Sequence, residues 1–170
     1  LLAQADTLFR RGDYNGVISL LSPHVEGKSG SEALRIMVAK SYYRMREYDK
    51  AQEKLDPLLS FGNESPAALA LSGWIWLKKD SFSQAQERFQ KLKNMGKTGY
   101  EAQAEAGLGG VALLRSNGGK QEDINEAKSY LTRNVALEDP IPQTYMLLAQ
   151  VYIYEHEFEK AIEAAQNAVN

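Results

Sequence analysis

"RMREYDKAQEKL", residues 44–55, sets a charged turn ahead of an aromatic, with a small residue three positions later and a large apolar one four beyond that. The same order returns as "RRGDYNGVISLL" at 10–21 and "KKDSFSQAQERF" at 78–89, and more loosely as "IYEHEFEKAIEAA" at 153–165. Tyr14, Tyr48 and Phe82 are separated by 48 − 14 = 34 and 82 − 48 = 34 residues. Val17, Ala51 and Ala85 keep that step, as do Leu21, Leu55 and Phe89. A fixed period of this length makes the chain a stack of similar supersecondary units.

Later copies resume the period: Ile124 and Phe158 differ by 34, and so do Ala127 and Ala161. Between Ala85 and Ala127 the step is 127 − 85 = 42, so eight residues are added. Much of the addition falls in "SNGGKQED", 116–123, whose Asn-Gly-Gly is turn chemistry and predicts one longer loop. Upstream of each turn, Ala5, Ala39 and Gly73 step by 34, and so do Leu8, Tyr42 and Trp76. Gly109 with Ala112, and Ala149 with Tyr152, supply the later copies. A small and a large residue three apart share one helix face, where the small one admits a neighbouring backbone and the large one fills the adjoining space. Each unit therefore reads as two antiparallel helices joined by a short polar turn.

These residues resemble the tetratricopeptide repeat (TPR) pattern, W-x2-L-G-x2-Y, then A-x3-F, then P. "VAKSYY" (38–43), "SGWIW" (72–76), "LGGVA" (108–112) and "LAQVY" (148–152) match its first part, Ala51, Ala85, Ala127 and Ala161 its Ala, and Pro66 and Pro140 stand near the junctions. The resemblance implies an all-α, right-handed superhelical α-solenoid of antiparallel helix pairs. It divides the chain into one domain of five degenerate repeats, about 1–31, 32–65, 66–99, 100–141 and 142–170. The first repeat lacks the start of its first helix, and the last lacks the polar capping helix of such arrays, so both ends read as cuts or attachment points.

Composition narrows the function. A net charge of −2 gives no general attraction to nucleic acid, and no apolar run approaches the length of a membrane helix. The absence of cysteine removes disulfides, thiolate metal sites and thiol nucleophiles, while leaving the compartment open. His24 and His156 lie in different repeats without carboxylate partners at ligand spacing, so they read as surface or turn residues. "GLGGVA" (107–112) satisfies G-x-G-x-x-A, but "YEAQAEA" before it reads as helix rather than the strand a dinucleotide site requires. Nothing in the sequence forms a catalytic constellation, and no cofactor or metal site is expected.

By the resemblance, the first helices of successive repeats line a concave groove. Positions displaced from their packing faces give a stripe of Leu2, Asp6 and Phe9, then Ile36, Lys40 and Tyr43, then Ala70, Trp74 and Leu77. It continues through Ala106, Gly110 and Leu113 to Met146, Gln150 and Ile153, bordered by Met37, Leu71, Leu114, Leu147 and Tyr154. Such an apolar stripe is either packing between repeats or a surface for an apolar peptide or amphipathic helix. A ladder of Arg10, Arg44 and Lys78, again 34 apart, either complements the helix dipoles or forms a basic rim for a ligand with an acidic flank. The leading expectation is a non-enzymatic protein-binding scaffold; self-association is the runner-up, and RNA binding is disfavoured by the charge and the apolar groove. In "LSGWIWLKKD", 71–80, helical spacing sends Trp76 to the packing face and Trp74 to the groove.

Overall fold

Each polar turn is a helix stop signal written into the backbone. Gly12, Arg46, Asp80 and His156 adopt left-handed φ values of 78°, 63°, 55° and 59°. In the first repeat, the Asp13 amide donates back to the Leu8 carbonyl and the Gly12 amide to Phe9. The same pair of bonds recurs as Glu47 to Tyr42 with Arg46 to Tyr43, Ser81 to Trp76 with Asp80 to Leu77, and Glu157 to Tyr152 with His156 to Ile153. These are four Schellman caps in register, which satisfy the orphan carbonyls of each first helix. Each residue after the left-handed position then opens the second helix; Asp13 does so with its carboxylate, which accepts the Gly16 amide at 2.8 Å. The turn chemistry thus stops one helix and starts its antiparallel partner within three residues.

The structure, a computed structural model, describes residues 1–26, 30–60, 62–117, 119–137 and 141–169. Among them are ten α-helices and no strand: α1 (Leu2–Arg10), α2 (Tyr14–Leu21), α3 (Glu32–Arg44), α4 (Tyr48–Leu55), α5 (Pro66–Lys78), α6 (Phe82–Met95), α7 (Glu101–Arg115), α8 (Gln121–Val135), α9 (Pro142–Tyr154) and α10 (Phe158–Asn167). Odd-numbered helices pack on the next odd-numbered helix, α2, α4, α6 and α8 each on the helices before and after, and α10 on α9. The chain is an α-solenoid, since every contact of substance joins near neighbours along the stack. Pro66 opens α5 and Pro142 opens α9, positions where the missing amide costs nothing. Pro140, Gly118 and Asn170 lie outside the described residues.

The repeating small and large positions form the core. Val17, Ala51, Ala85 and Ala127 have no exposed surface, and neither do Leu21, Leu55, Phe89 and Leu131. Phe89 is the largest of these, and two glycines accommodate it: a Cβ on Gly73 would stand 2.6 Å from its ring, and one on Gly107 2.3 Å. Gly109 serves Leu131 in the same way, at 2.7 Å. "GLGGVA" therefore lies inside α7, and its glycines are sites of close helix approach.

The eight added residues are distributed differently from the single longer loop read in the sequence. Residues 121–123 are helical and give α8 nearly an extra turn, while the turn before it covers 116–120 against three residues elsewhere. The reason is local: Gln121, Glu122 and Asp123 form an acidic first helical turn, and Arg115 at the end of α7 reaches the Asp123 carboxylate at 2.7 Å.

Candidate functional site

Where α1, α3 and α5 approach α7 and α9 on the inner side, a cavity of about 420 Å³ opens. Its walls come from Phe9 on α1, Ile36, Lys40, Tyr43 and Arg44 on α3, Ala67, Ala70, Leu71 and Trp74 on α5, Tyr100 and Gln103 beside and on α7, and Gln143 on α9. Helical spacing explains the assembly: Ile36, Lys40 and Tyr43 stand four and three apart, as do Ala67, Ala70, Leu71 and Trp74. The small side chains of Ala67 and Ala70 leave the space. The surface is mostly apolar, with two amides and two cations, and no carboxylate lines it.

Trp74 is half-buried. Its ring meets Phe89 edge to face at 5.2 Å, and its indole N–H donates to the Gln103 side chain at 3.0 Å. One edge thus belongs to the core and the rest to the cavity wall, so orientation is fixed before any ligand arrives. Tyr43 is half-buried and stacks obliquely on Tyr48 at 5.8 Å. Burial raises the Tyr43 pKa above the usual phenol value, Tyr48 adds to this and Arg44 opposes it. Trp76 lies on the other face, with the Lys79 ammonium 4.8 Å from its ring centroid.

The predicted groove residues separate into three groups. Ile36, Lys40, Tyr43, Leu71 and Trp74 come together in the cavity, although Ile36 and Leu71 show only 9% of their surface. Met146, Gln150, Ile153 and Tyr154 are exposed on α9, where Met146 and Ile153 keep 57% and 51% of their surface. Leu77 and Leu113 correct the expectation. Leu77 and Leu113 are 3% and 2% exposed and belong to the interior, because Leu77 packs with Phe89, Leu108 and Val111, and Leu113 is part of the core formed with Ile124, Leu131 and Leu148. A Cβ on Gly110 would stand 3.3 Å from Leu77 and 3.4 Å from Leu147. Met37 is half-buried and packs against the core cluster of α1–α3, leaving part of its surface beside the groove stripe.

The basic ladder also divides. Arg10 pairs with Asp6 one turn earlier at 2.8 Å, whereas Arg44 donates to the Tyr14 hydroxyl at 3.1 Å and lines the cavity. Arg44 and Lys78 also border an adjoining depression, together with Tyr43, Tyr48 and Arg46. Arg46 stands outside the basic ladder that the 34-residue step picks out; its nearness to Arg44 in "RMRE" is the signal the sequence offers. His24 is exposed in a short 3-10 turn, and His156 is exposed at its left-handed cap position. Among the described residues no group of three or more His, Asp or Glu could hold a metal ion, and no helix is long and apolar enough to cross a membrane.

No protein-family model and no curated protein sequence matches the chain. Solved structures do. The C-terminal part of a TPR repeat-containing protein from Cytophaga hutchinsonii superposes with a TM-score of 0.63 at 22% identity, covering 99% of this chain and 64% of that one. The chain therefore spans less than two thirds of that structure. A MamA protein gives a TM-score of 0.64 at 18% identity over 97% of this chain and 86% of its own. A tetratricopeptide repeat protein from Parabacteroides merdae gives 0.56 at 16% identity, over 98% and 75%. These likenesses establish the fold: the chain is a TPR-like superhelical α-solenoid.

Proposed function

We propose that the protein is a non-enzymatic scaffold that holds an apolar peptide segment or amphipathic helix of a partner protein in the cavity between α1, α3 and α5. The observation that carries this is the 420 Å³ recess with an apolar floor, a pre-oriented Trp74 and no carboxylate in its lining. A concave, largely apolar site with a few oriented polar groups is the usual form of a preformed binding pocket. Trp74 and Tyr43 would act as anchors, and the Gln103 and Gln143 amides would meet the peptide backbone.

Peptides selected from a displayed library on the native protein, and counter-tested on Ala67→Arg, address this. Ala67 is a half-buried cavity-wall residue at the start of α5 that also packs against the core of α3–α5, so its replacement obstructs the recess and melting temperature is read beside binding. The expected result is peptides with aromatic or branched aliphatic anchors that bind Ala67→Arg at least about tenfold more weakly, a loss of about 1.4 kcal/mol. Equal binding to both proteins, with unchanged melting temperature, would exclude the cavity.

A second reading, self-association, is favoured by α10. Phe158 and Ile162 expose 59% and 60% of their surface along one stripe of the helix. The corresponding Tyr14, Tyr48 and Phe82 are half-buried and Ile124 is buried, all beneath or beside the following repeat. Pairing of two α10 stripes would cover Phe158 and Ile162.

A further inference from the structure

We infer that the depression beside the cavity, at the α3–α4 turn and the end of α5, is a cradle for an acidic stretch of the partner polypeptide. Arg44, Arg46 and Lys78 line it with Tyr43 and Tyr48, in a volume of about 430 Å³ without a carboxylate. The inference rests on the groove reading for one of its parts, that the acidic stretch continues from the apolar anchor. Tyr43 and Arg44 belong to both recesses, so a chain leaving one enters the other.

Three observations support a ligand here. Two neighbouring acids are already engaged: Glu47 is paired with Lys50 and Asp49 with Lys79. Arg44 is held by the Tyr14 hydroxyl and ring, contacts that fix its direction and leave its charge unneutralised. The backbone supplies the third. Arg46 stands at φ 63°, where the equivalent positions hold Gly12, Asp80 and His156, residue types that accept the left-handed conformation more readily than Arg. A strained residue bearing an unneutralised charge at the rim of a recess is the pattern of a functional position. The net charge of −2 and the small span of the three cations fit a short acidic peptide better than a nucleic-acid backbone or a membrane plane.

Hexaglutamate, which has no apolar anchor, tests the cradle separately from the cavity. Titrated at low salt and followed by amide nitrogen–proton spectra, it should shift residues 44–48 and 76–80 saturably. Loss of two exposed cations in Arg46→Gln/Lys78→Gln should weaken binding roughly two- to fivefold per charge, and 0.5 M salt should abolish it. Arg46→Gly should bind more weakly while melting at a higher temperature, because it relieves the backbone while removing the charge. Unchanged affinity in Arg46→Gly, or shifts scattered equally over Arg11, Lys97 and Lys120, would overturn the cradle. Tighter binding of phosphatidylserine vesicles or of oligouridylate, lost in the same double variant, would overturn it by assigning the cations to another ligand. Because Ala67→Arg reports on the cavity and hexaglutamate on the cradle, failure of one is distinguishable from failure of the other.

Discussion

Phe89 occupies the space that a side chain on Gly107 would need, its ring lying 2.3 Å from where that Cβ would stand. An alanine in the middle of a helix ordinarily stabilises it by about 1 kcal/mol over glycine. Here the sign should reverse. Gly107→Ala is expected to cost about 1–3 kcal/mol through overpacking, and the cost should shrink in a Phe89→Leu background. Urea denaturation of the two single variants and the double variant measures the coupling; additive effects would mean that the ring moves aside freely.

Asn134 is fully buried, and it joins three helices. Its side-chain amide donates to the Ala102 carbonyl at 2.7 Å, and its side-chain oxygen accepts the Thr144 hydroxyl. Asn134→Ala should cost about 2–3 kcal/mol, because it strands two buried polar partners besides removing contacts. Asn134→Leu combined with Thr144→Val should destabilise less than the two single changes added together, which denaturant midpoints can establish.

Exposed Phe158 and Ile162 on α10 contribute little to the fold of one molecule. Phe158→Glu/Ile162→Lys should leave the helical circular dichroism unchanged and remove any concentration-dependent mass seen by sedimentation. A native protein that stays monomeric up to millimolar concentration would dismiss the self-association reading.

The Lys128 ammonium joins α8 to the α9–α10 turn through Glu155 at 2.7 Å and Glu157 at 3.6 Å. Its pKa is raised, first by the hydrogen bond to Glu155, so its contribution to stability is present below the ordinary lysine value of 10.5 and lost as pH rises through the higher folded value. Glu157 is shifted down, mainly by Lys160 with help from Lys128, so its contribution is present above the ordinary 4.5 and lost as pH falls through the lower folded value. The stability difference between native protein and Lys128→Met should therefore be flat from about pH 6 to 9 and shrink on both sides. A difference that does not vary with pH would show that the lysine acts only through packing.

The 34-residue period, the all-α class and the place of each turn were legible in the sequence because their causes are local. A left-handed residue, its two cap bonds and the small and large positions on either side all lie within a dozen residues of one another. Contacts between repeats were not legible. Leu77 and Lys40 lie on the same predicted stripe, yet one is interior and the other open, because Phe89 on α6 and Leu108 and Val111 on α7 cover Leu77. Arg46 reads as an ordinary turn cation until folding brings Lys78 to the same recess from a neighbouring repeat. Periodicity assigned each residue to a face of its own helix; only the stack determined which faces were covered, since coverage depends on side-chain volumes contributed from elsewhere in the chain.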